Sequence, residues 1–123
     1  MKKIILSTLV AGIALLAACH SSKKTSSNTA SKPANGVYAP GEAELAAIKK
    51  QDPEMSMGKL QEGYTLYTGI SCTKCHGAKN IYQYSETEWK GIMDVMAKKA
   101  KINDLQKDAV YKYVLAIKAA KHS

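Results

Sequence analysis

The sequence predicts an all-α domain over residues 39–123, and three observations carry that prediction. From Pro40 onward the apolar residues recur at helical spacing. Two pairs, Ser85 with Glu88 and Asn103 with Gln106, are spaced as capping boxes, in which each partner's side chain satisfies a backbone N–H of the other. No run of alternating β-branched residues and no Asn-Gly hairpin signal occurs in this stretch.

The elements follow in order. Gly41 to Lys50 reads as a short leading helix through Leu45 and Ile48, with Pro53 beyond its end. Ser56 is the expected N-cap of a helix running to about Thr68, with Leu60, Tyr64 and Tyr67 on one face. Gly63 lies on that helix where a partner helix can approach closely. Ser85 starts a helix whose apolar positions Trp89, Ile92, Met93, Met96 and Ala100 share a face. Asn103 starts the last helix, with Leu105, Ala109, Val110, Tyr113, Val114 and Ile117 expected inward and lysines outward.

Ahead of this domain the composition changes twice. Residues 1–18 carry Lys2-Lys3, an apolar stretch from Ile4 to Leu16 and the small residues Ala17 and Ala18, the pattern of an export signal. The apolar stretch falls short of the ~20 residues that a spanning helix needs. Leu16-Ala17-Ala18-Cys19 resembles the lipobox of bacterial lipoproteins, and the resemblance implies cleavage before Cys19 and a lipid on its sulfur. Residues 19–38 are rich in Ser, Lys, Asn and Thr, which predicts a flexible linker with a reach of about 20–25 Å. His20 and His122, near the two ends of the mature chain, read as solvated side chains.

The charge is one-sided. Eighteen cations, all lysine, against ten acids give a formal net charge of +8. That balance fits a solvated lysine surface and also steers acidic partners. Nucleic acid is disfavoured as a partner, since no arginine is present to make bidentate contacts and no basic stripe carries interleaved aromatics.

Between the second and third helices lies Cys72-Thr73-Lys74-Cys75-His76, a C-x-x-C-H sequence and the pattern of c-type haem attachment. In a helical turn, positions three and four apart fall on one side, so Cys72, Cys75 and His76 can face one planar ligand. Two thioether links would then hold one covalent haem c, and neutral His76 would be the proximal iron ligand. A redox-active dithiol wants a strand before a long helix, and nothing here reads as strand. A closed zinc site wants four protein ligands, and no second C-x-x-C or H-x-x-x-H occurs.

Gly63 and Tyr67 ahead of the motif, Cys72 to Gly77, and a closing helix with Tyr113 together resemble small bacterial class I cytochromes c. The resemblance covers roughly Leu60 to Ile117. It implies a helical domain wrapped around haem, in which Gly63 and Tyr67 pack against Tyr113 and Val114. It also implies an axial methionine downstream of the motif, where only Met93 and Met96 lie. The spacing Trp89-x-x-Ile92-x-x-x-Met96 is similar to short cytochromes whose ligand follows a tryptophan by seven residues, which selects Met96 with Met93 as the alternative. The segment between His76 and Met96 is shorter than is usual in the family. Its loop of about nine residues still extends roughly 30 Å, enough to pass from one haem face to the other. Met55 and Met57, upstream of the motif, are more distant alternatives.

Smaller expectations attach to the surroundings. Trp89 either lines the haem pocket or directs its indole N–H at a propionate, and a buried tryptophan needs some polar partner in any case. Tyr82 and Tyr84 have similar standing. Lys74, Lys79, Lys90, Lys98, Lys99 and Lys101 are candidates to ring the haem edge. The function implied is single-electron transfer without catalysis, by a protein tethered through its lipid in the cell envelope, with its domain outside the cytoplasmic membrane. Redox proteins are the expected partners, and no small-molecule substrate is expected. Two alternatives stay open: a five-coordinate haem enzyme or gas sensor, and a haem subunit of a larger oxidoreductase.

Overall fold

A computed structural model of the chain describes residues 31–122. The leader, Cys19 and His20 lie outside the described residues. Among those described, every regular element is helical: α1 (Glu42–Lys49), α2 (Met57–Thr68), α3 (Ile70–Thr73), a 3₁₀ turn (Ile81–Gln83), α4 (Glu86–Ala100) and α5 (Asp104–Lys121). None of these helices is long and apolar enough to cross a membrane.

Local chemistry sets the helix starts. Ser56 caps α2 by accepting from Lys59 N at 3.3 Å. At α4, Ser85 Oγ accepts from Glu88 N at 3.3 Å while the Glu88 carboxylate takes Ser85 N at 2.8 Å, so both halves of the expected box are present. The box at α5 is likewise complete, with Gln106 N donating to Asn103 Oδ1 at 2.9 Å and Asn103 N to Gln106 Oε1 at 3.0 Å. Each such cap is worth about 1 kcal/mol of helix stability.

Helix α5 is the centre of the fold. Ala109, Val110, Tyr113, Val114, Ala116 and Ile117 are all fully buried, which places apolar surface on more than one side of the helix. One side packs with Tyr67, Ile81, Trp89 and Met93. The other meets Ile48, Met55 and Leu60. Each such aliphatic side chain contributes about 1.5–3 kcal/mol by burial. Met55 is therefore core on the side of α5 away from α4. The sequence also expects Leu105 inside, whereas it is 80% exposed. It sits at the second position of α5, ahead of the helix crossing, where nothing covers it.

Helices α2 and α5 cross at Gly63. A methyl group placed on Gly63 would lie 2.1 Å from the Ala109 carbonyl oxygen and 2.8 Å from Tyr113 Cβ. The two backbones touch, and only a hydrogen fits between them.

The linker composition extends to residue 38, but its last residues are part of the folded body. Ile81 N donates to Asn35 O at 2.8 Å, and Tyr38 N and Tyr113 Oη are 3.3 Å apart while Tyr113 Oη donates to Tyr38 O at 2.9 Å. Gly36 is buried with φ +72°, against Tyr82 and Ile117. The physical reason is that Asn35, Val37 and Tyr38 supply carbonyl and apolar groups to partners more than forty residues away, a relation that composition does not reveal.

Candidate functional site

The motif sits on α3 and the bend that follows it. Gly69 ends α2 in an extended conformation, and α3 begins at once, with Cys72 N and Thr73 N both donating to Gly69 O at 3.2 and 3.1 Å. The helical turn expected to carry the whole motif stops at Thr73. Cys75 and His76 lie in a bend rather than on the helix. Cys72 is partly buried and Cys75 exposed, both as free thiols. Burial pushes the Cys72 thiol up, so it is held as the neutral sulfhydryl.

His76 Nδ1 lies 2.8 Å from Gly77 O. With its proton on Nδ1, the imidazole donates there, and the lone pair of Nε2 is left for another partner. Such an arrangement is typical of a metal-ligating histidine oriented by its second nitrogen.

These groups line one cavity of about 600 Å³ between the motif and α4. Cys72, Cys75 and His76 form one wall, and Met93, Met96 and Ile102 stand on the α4 side. Tyr67, Tyr84 and Trp89 also line it. The two methionines differ in surroundings. Met93 is 4% exposed and packs in the core with Tyr67 and Trp89, while Met96, one turn on, is partly exposed. Both reach the cavity wall, whereas Met55 does not.

The aromatic wall is held by rings and by backbone carbonyls. Tyr67 and Trp89 pack edge to face at 6.1 Å, Tyr84 and Trp89 at 5.6 Å, and Tyr67 tilts against Tyr113 at 5.8 Å. Tyr67 Oη donates to Lys79 O at 2.7 Å, tying α2 to the loop after the motif. Burial pushes the Tyr67 and Tyr113 phenols up, so both remain protonated donors. The Trp89 indole N–H, one of whose expected destinations is a propionate, donates instead to Ile81 O at 2.9 Å. It is fully buried on α4 directly under the 3₁₀ turn, and that carbonyl is the nearest acceptor. Tyr82 also departs from expectation. It packs away from the cavity, over Gly36, with the Lys121 ammonium 4.2 Å from its ring centre.

The cavity wall at α4 ends in a tight reversal that the sequence does not announce. Lys101 adopts φ +55°, ψ +38°, and Ile102 N donates back to Ala97 O at 3.2 Å. This is a Schellman closure, which normally places glycine at the left-handed position. It folds Ile102 against Ala97, and both side chains face the cavity. Among the described residues, Lys74, Lys79, Lys99 and Lys101 line the cavity and no carboxylate does. Lys90 and Lys98, also expected at the rim, are not among the lining residues.

Among the described residues, no three His, Cys, Asp or Glu side chains gather at the spacing of a metal-ion site. No protein-family model, no curated protein and no solved structure matches the chain.

Proposed function

We propose that this chain is a small lipid-anchored c-type cytochrome that carries single electrons at the outer side of a bacterial membrane. The observation that carries the proposal is the cavity: two thiols, an imidazole and two thioethers line a single apolar space of about 600 Å³ walled by aromatic rings. Its volume lies within the ~300–1,000 Å³ range of cofactor pockets. A single ion needs ligands converging on a point, and no such cluster occurs among the described residues, whereas two thiols suit attachment of a larger cofactor. An imidazole and a thioether are also a ligand set that haem iron takes.

Haem, when bound, supplies an iron centre that changes valence by one electron. The chain's own residues do the rest. Cys72 and Cys75 would hold the macrocycle, and His76, its ring oriented through Gly77 O, would offer Nε2 to the iron. Met96 offers sulfur from α4 on the other wall, and Met93 fills the core behind it. Tyr67 and Trp89 close the apolar side with their polar atoms already satisfied, so they add no proton donor to the cavity. A cavity that would offer haem iron an imidazole from His76 and a thioether from Met96 suits electron carriage.

The test is the mature protein made in cells that assemble c-type cytochromes. It is expected to be coloured, to carry the mass of one haem through denaturation, and to lose both properties in the Cys72→Ser/Cys75→Ser variant. A colourless product with the mass of polypeptide plus lipid defeats the proposal. Rapid carbon monoxide binding by the reduced parent protein would instead favour the five-coordinate enzyme or sensor.

A further inference from the structure

Haem carries two carboxylates, and three candidate donors for them are engaged elsewhere. The Trp89 indole is bound to Ile81 O, the Tyr67 hydroxyl to Lys79 O, and the Tyr113 hydroxyl to Tyr38 O. The chain has no arginine. What lines the cavity instead, among the described residues, is a set of four lysines with no carboxylate beside them. The ion pairs of the described residues engage Lys32, Lys59, Lys107 and Lys112, and none of the four cavity lysines.

One of the four stands in a position that costs stability. Lys101 occupies the left-handed conformation at the end of α4, where a residue with a Cβ is disfavoured by roughly 1–2 kcal/mol. Glycine would serve the Schellman closure better. A lysine kept in that conformation at a cavity mouth is a structural expense without a local return, and the inference runs from such an outlier to a role.

Chemistry separates the lysines into two pairs. The vinyl groups that join cysteines and the propionates occupy opposite edges of a porphyrin. Lys74 lies inside the motif between the two cysteines, and Lys79 follows on the same segment. Lys99 and Lys101 come from the last turn and the end of α4, a different element from the one that carries the cysteines. Resting on the haem reading above, we infer that Lys99 and Lys101 form the propionate-binding end of the cavity, pairing their ammonium groups with the two carboxylates of the cofactor. The pair replaces the arginine and indole donors that this chain lacks or has used elsewhere.

The test uses the haem-loaded protein and reads the pH dependence of its reduction potential, in which propionate ionisation produces a fall. A cation beside a carboxylate favours the ionised form. The Lys99→Gln/Lys101→Gln variant is therefore expected to move that fall to higher pH, by about one unit, the size of a single close opposite charge. The Lys90→Gln/Lys98→Gln variant removes two charges from the same helix away from the cavity and is expected to leave it within a small fraction of that. Lys101→Gly is expected to shift the fall upward while holding or raising the melting temperature, since it relieves the left-handed lysine. A purely structural role for Lys101 predicts the gain in stability without the shift. Superimposable pH profiles for the parent and Lys99→Gln/Lys101→Gln overturn the inference, as does an equal shift in Lys90→Gln/Lys98→Gln or in Lys74→Gln/Lys79→Gln. A coloured protein with any of those results loses only this assignment, whereas a colourless one loses the haem reading with it.

Discussion

Gly63 and Ala109 meet backbone to backbone: a Cβ on the glycine would stand 2.1 Å from the alanine's carbonyl oxygen, well inside any tolerable contact. Gly63→Ala gains up to about 1 kcal/mol of helix propensity and must push α2 and α5 apart. Overpacking of this kind costs typically 1–3 kcal/mol, occasionally more, and backbone is the least yielding neighbour. The variant is expected to lower the stability read from denaturant unfolding by a net of about 2 kcal/mol, the upper part of that cost less the propensity gain. Because Tyr67 and Tyr113 ride on the same crossing, its haem spectrum is expected to broaden as well. An unchanged midpoint would mean that the helices do not cross at this distance.

Trp89→Phe removes the donor to Ile81 O and leaves a buried carbonyl without a partner, a loss of about 1–3 kcal/mol. The structure assigns the indole to the 3₁₀ turn. The melting temperature should fall, while the reduction potential and its pH profile should remain close to those of the parent. A large change in the pH profile would show instead that the indole serves a propionate.

Met93 and Met96 separate by their surroundings. Met96→Ala is expected to abolish the long-wavelength sulfur-to-iron absorption of the oxidised protein and to open the reduced form to carbon monoxide. Met93→Ala is expected to keep the band and to lose about 2–5 kcal/mol of stability, because it empties a core site that is 4% exposed. Loss of the band in Met93→Ala alone would transfer the ligand role to Met93.

Glu44 is buried and receives Lys32 Nζ, the Tyr38 hydroxyl at 3.0 Å and Gly41 N at 2.8 Å. Burial raises its pKa, and the hydrogen bonds from Lys32, Gly41 and Tyr38 outweigh that, so the carboxyl is held below its ordinary value of 4.5. A depressed folded value means that the unfolded chain takes up the proton first. The contribution of Glu44 is thus fully present above the unfolded value and fades as pH falls through the folded one. Glu44→Gln should lower the unfolding free energy by about 1–3 kcal/mol at neutral pH. The gap between parent and variant should narrow as pH is taken below 4.5. A gap that stays constant down to that acid range would show that the carboxylate's charge contributes nothing.

Much of the secondary structure was legible in the chain because its signals are local. Ser56, Ser85 with Glu88 and Asn103 with Gln106 satisfy N–H groups two or three residues away, so their spacing predicts the helix starts of α2, α4 and α5 found here. The close approach at Gly63 was also legible, since a glycine on a helix face admits little else. Cys72, Cys75 and His76 were identified by type and spacing, Met93 and Met96 by the family resemblance, and all five line one cavity. Leu105 was misplaced because apolar identity alone does not reveal that nothing arrives to cover the first turn of α5.

By itself, then, the sequence determined an all-α domain with three of its helix starts, its one C-x-x-C-H motif and its lysine excess, all of which depend on neighbours a few positions apart. Only the tertiary structure decided where the Trp89 indole donates, which methionine is core, how Asn35 to Tyr38 dock, and which four lysines face the cavity. Each of those depends on a partner tens of residues distant or on the packing of whole helices. A backbone carbonyl such as that of Ile81 is chemically the same at every position until folding places it beside a particular donor.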